Sequence, residues 1–315
     1  MLSRRRLLNA VFVLAALGVG GLVARHYAQA GWPLRSANVW LVVLAALIFV
    51  AAYAVKAWGW QRLFSNGERP AVLTLAAAGG AASVGGIALP GRCDDVIRLA
   101  VLRRCRRRRA SVGAAVLSIF LLGLLDSAAL GPLAYVTAFV AHVDGWLRLG
   151  LFVVAAAGVA AAAVVLSLRR LAGHRLVARF RIARFVGDHA TGRREAFQAW
   201  LAVATSWALR ALAVFVLLAA LGLGSDFALA LAFVCASSAS AVLPVAPAGA
   251  AVQAGAGGAI LAASGIRTED ALAFGVAAQA LLIAAGAAFV LALGVWHLHG
   301  RLAPSQVLKR RPSPA

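Results

Sequence analysis

Apolar stretches of about 20 residues follow one another along the chain, and the short segments between them are where arginine collects. Each stretch is long enough to cross roughly 30 Å of hydrocarbon as a helix. The stretches are rich in Ala and Leu and lack the alternation of a barrel strand, so they predict helices, which satisfy their own backbone groups in lipid. Six read as full spans: 7–24, 37–58, 111–141, 147–168, 196–222 and 271–296. Two more, 71–89 and 227–264, are interrupted by Gly and Pro.

Composition agrees with the pattern. The 315 residues are 63% hydrophobic and 13% charged, with a mean hydropathy of +0.89; a soluble domain carries about 25% charged residues. The expected fold is an all-α polytopic membrane protein with about six full spans and two oppositely oriented re-entrant hairpins. Residues 1–300 form one integral-membrane domain, with hairpins near 71–90 and 227–264, and 301–315 form a short basic cytoplasmic tail.

Charge sets the expected topology. A net charge of +21 on a soluble surface would point to nucleic acid, but here the basic residues sit between apolar runs. Arg4, Arg5 and Arg6 place the N-terminus in the cytoplasm by the positive-inside rule, and the second span returns there at Lys56, Arg62 and Arg69. A full crossing by 71–89 would put Arg92, Arg98, Arg103, Arg104 and Arg106 to Arg109 outside. A re-entrant hairpin broken at Gly79-Gly80, Gly85-Gly86 and Pro90-Gly91 keeps them inside. The arginine-rich segment 169–195 and the tail with Arg301, Lys309, Arg310 and Arg311 then require 227–264 to start and finish outside, broken at Pro244 and Pro247. On this topology only Arg25, Arg35, Arg148 and Arg267 lie outside, with Arg210 inside a span. Both termini are cytoplasmic and the expected location is the cytoplasmic membrane.

The two interrupted stretches echo each other. Small residues followed by Leu-Pro and then Gly occur in 83–91 and again in 238–249. Broken helices in two oppositely oriented halves point to a transporter-like site near the midplane, while small residues by themselves also serve close helix packing. At the N-terminus, Ala28-Gln29-Ala30 after an apolar run resembles a signal-peptide cleavage site, but the run is long for one and predicts an uncleaved anchor.

Three motifs carry a family resemblance. They are Tyr53-x-x-Lys56-Ala57-Trp58-Gly59-Trp60-Gln61-Arg62-Leu63, then Leu89-Pro90-Gly91-Arg92-Cys93-Asp94-Asp95-Val96-Ile97-Arg98, and Leu243-Pro244-Val245-Ala246-Pro247-Ala248-Gly249. In order and spacing the chain resembles the lysylphosphatidylglycerol synthase transmembrane-domain family, also described as flippase-like. Two positions depart from that family's pattern: Leu124-Leu125 stand where Glu-Arg usually precedes the Asp, here Asp126, and Asp94-Asp95 replace Gly-Glu. The resemblance is to the membrane module without the soluble aminoacyl-transferase domain, so aminoacylation is not implied.

Candidate chemistry centres on ionisable groups in or beside the spans. Arg92 stands where a hairpin should turn into a helix from Cys93 to Arg104, where a guanidinium and free N–H groups suit a phosphate headgroup; simple interfacial anchoring is the alternative. Lys56, Arg62, Asp95 and Arg98 complete the candidate headgroup set, with Asp94 and Arg98 spaced as an i,i+4 pair. Asp126 and Arg210 lie inside spans, where charge is expensive, and their pairing is one expectation, independent solvation the other. Gln198, Gln253 and Gln279 either line the same cavity or bond helices together. The candidate hairpin breaks are Pro90, Gly91, Pro244, Pro247 and Gly249. Arginines at 103–109 and 169–184, interleaved with apolar residues, suit an anionic leaflet, each worth about 1 kcal/mol.

Several chemistries lack their motifs. Cys93, Cys105 and Cys235 form no CxxC, His297-x-His299 ends a span, and Gly255-Ala256-Gly257-Gly258 lacks the Lys-Ser/Thr of a P-loop. No metal, cofactor or nucleic-acid partner is expected, and no catalytic motif is found. The expected function is binding or translocation of a phospholipid or a lipid-linked polyprenyl or glycolipid substrate. The alternatives are a membrane-embedded transferase on such a substrate, and a non-catalytic partner of a separate glycosyltransferase or lipid synthase.

Overall fold

The computed structural model describes residues 37–65, 67–85, 93–104, 111–141, 145–172, 192–240 and 249–302. Within them the chain forms the helices α1 (Val39–Gln61), α2 (Val72–Gly85), α3 (Cys93–Arg104), α4 (Val112–Val140), α5 (Gly145–Ala172), α6 (Arg193–Ala220), α7 (Phe227–Ser240), α8 (Gly249–Ala263) and α9 (Thr268–Leu302), and no strand. α1, α4, α5, α6 and α9 contain segments long and apolar enough to cross a membrane. They fall on five of the six expected spans. The sixth, 7–24, lies outside the described residues, as do Pro90, Gly91, Arg92, Pro244, Pro247 and the tail from residue 303 onward.

Local chemistry starts and aligns these helices. The Asn38 side chain caps α1 by accepting from the Trp40 and Leu41 amides at 3.1 and 3.4 Å, and Ser111 Oγ caps α4 by accepting from Ala114 N at 3.1 Å. The Asn38 amide donates to the Ala220 carbonyl at 2.8 Å, while at the opposite end Arg69 pairs with Glu195 at 2.7 Å, so α1 and α6 run antiparallel. We call the end bearing Arg69, Arg104 and Arg193 the arginine end.

Pro132 sits inside α4 and has no N–H to give the carbonyl four residues back, that of Ala128. Trp200 of α6 supplies the missing donor, its Nε1 lying 3.3 Å from that oxygen. Water is scarce at this depth, so the indole satisfies a group that would otherwise be orphaned. Next to Pro132 on α4, Gly131 meets Gly158 of α5 so closely that a Cβ on Gly158 would stand 2.6 Å from the Gly131 Cα. α5 packs mainly on α4, whereas α4 and α6 are the most deeply buried of the long helices.

The short helices form two pairs entering from opposite ends. α2 has 14 residues, about 21 Å, too short to cross. It starts at the arginine end, where Gln61 Nε2 donates to the Pro70 carbonyl at 2.7 Å, and finishes beside Tyr53, whose hydroxyl meets Ser83 Oγ at 2.5 Å. α7 starts from the other end, where the Phe227 ring packs 5.8 Å from Phe215, and α8 runs back toward that end, Ser237 Oγ donating to the Gln253 carbonyl at 3.0 Å.

One expected break is not there. Gly79-Gly80 lies within the continuous α2 and serves a helix crossing: Gly80 meets the Gly286 backbone of α9 where any Cβ would collide. The return leg of the first pair is therefore α3, which packs on α2 through Ile97 against Gly85. Gly249 is the first residue of α8.

The outer surface is apolar. Trp40, Trp146, Val159 and Leu291 are 83%, 85%, 70% and 69% exposed, which in water would be costly and in a bilayer is solvation by lipid. The protein is a multi-pass α-helical membrane protein.

Candidate functional site

The sequence supplies few charges to the spans, and the fold brings most of them together. Asp126 stands at the middle of α4, 14 residues from either end. Lys56 lies on α1, five residues before its last residue, so the helix carries it inside the bundle rather than to the interface. Lys56 Nζ reaches both carboxylate oxygens of Asp126, at 2.7 and 2.8 Å, with side-chain exposures of 15% and 22%. Trp207 of α6 donates from Nε1 to Asp126 Oδ1 at 3.0 Å. The carboxylate thus receives an ammonium and an indole N–H, charge-assisted contacts that repay part of the cost of taking the two charges out of water.

Asp126 does not pair with Arg210, which was one of the two sequence expectations. Lys56 occupies the carboxylate, and Arg210 lies one turn beyond Trp207, its guanidinium 4.7 Å from the Trp207 ring and 5.6 Å from the Tyr53 ring. The Lys56 ammonium also lies 5.6 Å from the Trp207 ring. Trp207 therefore holds two cations by its face and an anion by its N–H. Arg210 Nε is buried and has no acceptor.

α3 brings a third cation to this region. Arg98 pairs with Asp95 at 2.8 Å and more loosely with Asp94 at 3.9 Å, one residue beyond the Ile97 contact with the inner end of α2. Its Nε also lacks an acceptor, and the Arg98 and Arg210 charges are both close enough to act on Lys56. Arg62, by contrast, caps the C-terminus of α1 with its guanidinium 4.6 Å over the Trp58 ring, at the arginine end rather than in the cluster. Gln253 accepts from Gln279 Nε2 at 3.4 Å, linking α8 to α9.

Sequence reasoning missed Tyr53, Ser83 and Trp207 as site residues. An aromatic residue one helical turn from a cation inside a span, as Trp207 is from Arg210, was the available signal.

Beside the cluster, α4, α5 and α6 enclose an almost wholly apolar groove of about 760 Å³, lined by Leu125, Pro132, Tyr135, Phe152, Val159 and Trp200 among others. Leu125 and Ala128 flank Asp126 in sequence, so groove and polar cluster share α4. No group of three or more His, Cys, Asp or Glu side chains that could hold a metal occurs among the described residues.

A search of curated proteins finds none that matches the chain. A family model described as the lysylphosphatidylglycerol synthase TM region matches residues 7–294, which takes in every helix above but the last turns of α9. With that match spanning nearly the whole sequence, the chain belongs to the lysylphosphatidylglycerol synthase TM region family.

Proposed function

We propose that the protein binds a phospholipid or a lipid-linked polyprenyl or glycolipid molecule and moves its headgroup across the membrane. The observation that carries this reading is the polar cluster of Lys56, Asp126, Trp207 and Arg210 inside the bundle, sharing α4 with the apolar groove. A charged cluster inside a membrane bundle is expensive and marks a pathway for polar cargo. A groove of about 760 Å³ lies within the size range of ligand sites, roughly 300–1,000 Å³, and its apolar walls suit acyl or prenyl chains. In this reading Lys56 and Arg98, with Asp95 orienting Arg98, meet the headgroup in the bundle, while Arg62 receives it at the arginine end.

The two short-helix pairs give the pathway its walls, one from each side. By the positive-inside rule the arginine end faces the cytoplasm, both termini lie there, and the membrane is the cytoplasmic one, with the exposed arginines against an anionic leaflet. A transferase would need an acid or base free to act, whereas Asp126 is bound to Lys56 and Asp95 to Arg98. A separate glycosyltransferase or lipid synthase is a compatible partner.

Reconstitution into liposomes bearing fluorescent lipids tests the proposal. Faster movement of at least one labelled lipid between leaflets than in protein-free vesicles is the expected result. No acceleration across a panel of phospholipids and polyprenyl phosphates would overturn it.

A further inference from the structure

We infer that the Lys56–Asp126 pair couples headgroup movement to protons: Asp126 takes up one proton when a lipid phosphate engages Lys56 and releases it when Lys56 returns. This rests on the lipid reading above and adds the source of energy.

Asp126 is placed unlike the other acids of the described helices. Asp94, Asp95, Glu195, Glu269 and Asp270 lie in the first turns of their helices, where free N–H groups and the helix dipole favour a negative charge. Asp126 stands at the middle of α4 without that help. Its charge is held by the Lys56 ammonium and the Trp207 indole N–H, and of these two the ammonium alone is charged.

The surrounding charges set what an incoming anion does. Arg98 on α3 and Arg210 on α6 act on Lys56, and Asp94 and Asp95 on α3 pair with Arg98. α5 and α7 also pack on α4, but α5 carries its basic residues Arg148, Arg169 and Arg170 in its end turns, and Cys235 of α7 meets Thr137 further along α4. Tyr53 of α1 is bonded to Ser83. Lys56, Arg98 and Arg210 are thus matched by Asp126, Asp94 and Asp95, and the cluster is neutral on its own.

A phosphate that takes an N–H of Lys56 stands beside the Asp126 carboxylate, because both oxygens of that carboxylate lie within 2.8 Å of Nζ. Two anions sharing one site hold a proton between them. A phosphate ester ionises more readily than a carboxylic acid, so the proton goes to Asp126: carboxylate plus one proton becomes the acid, and no other covalent bond changes. Arginine stays protonated throughout, so Arg98 and Arg210 neither give nor take it. Lys56 keeps its own proton as the donor to the phosphate. When the headgroup leaves, the ammonium reclaims the carboxylate and the proton departs to water. The pair is open to that exchange, with side-chain exposures of 15% and 22%.

The test places the full-length chain in phosphatidylcholine liposomes with a trace of acyl-labelled phosphatidylglycerol, the membrane potential being clamped at zero with potassium and valinomycin. Protein-free liposomes under the same conditions give the baseline. At equal pH on both sides, the protein should bring the label to an even distribution faster than baseline. Under a difference of one pH unit it should shift the label, beyond baseline, toward the leaflet facing the alkaline side. One proton per lipid limits that shift to about tenfold per pH unit. Asp126→Asn should abolish the shift, and Asp126→Glu, which keeps a carboxylate, should retain part of it. Even distribution under the gradient in wild-type liposomes that do move lipid at equal pH would overturn the inference and leave the lipid reading standing. So would a shift of wild-type size in Asp126→Asn. No movement at equal pH would instead remove the reading beneath it. Should Asp126→Asn fail to fold, the wild-type chain decides: a shift above baseline supports the coupling and its absence overturns it.

Discussion

Lys56 and Asp126, 70 residues apart in the sequence, meet through both carboxylate oxygens inside the bundle, and the ion pair ties α1 to α4. Removing one partner strands the other charge, which costs about 3–5 kcal/mol in a buried pair. Lys56→Ala and Asp126→Ala should each lower the melting temperature in detergent markedly, and the exchange Lys56→Asp with Asp126→Lys should recover most of the loss. Unchanged melting in either single variant would show that the pair holds nothing together.

Trp200 and Pro132 make a second coupled prediction. Trp200→Phe leaves the Ala128 carbonyl without a donor and should cost about 1–3 kcal/mol. In a chain that also carries Pro132→Ala the helical N–H returns, so the same Trp200 change should cost clearly less. Additive losses in thermal unfolding would argue that the indole contributes only packing.

The α2 to α9 crossing permits no side chain at Gly80 or Gly286. Gly80→Leu forces the backbones apart and should destabilise by about 1–3 kcal/mol or more. Gly150→Leu meets nothing within 4 Å and should stay within about 0.5 kcal/mol of wild type. Melting temperatures of the two variants, measured in the same detergent, check this.

Filling the groove separates stability from transport. Ala156 lines it, and Ala156→Trp should slow lipid movement in proteoliposomes while leaving the melting temperature near wild type. Full transport in a stable Ala156→Trp protein would place the acyl path elsewhere.

The sequence revealed what depends on the length and polarity of a run and concealed what depends on partners. The spans at α1, α4, α5, α6 and α9 follow from apolar length, and the Cys93 to Arg104 helix from its Asp start and Arg end. Those charges do not show that α3 runs back into the bundle, where its Ile97 packs on the inner end of α2. Gly79-Gly80 reads as a break because glycine weakens a helix, yet here it answers the approach of α9. The Asp126 partner was misread because Lys56 closes an aromatic and basic stretch that resembles an interface. Three further residues of helix, to Gln61, carry that stretch inward.

A phosphatidylglycerol analogue with a photoreactive headgroup, activated in membranes containing the protein and followed by peptide mapping, tests the central claim most directly. The account predicts labelling on α3 and α6 around Arg98 and Arg210. Labelling confined to outward-facing residues such as Trp40 and Leu291, with none at those arginines, would contradict it.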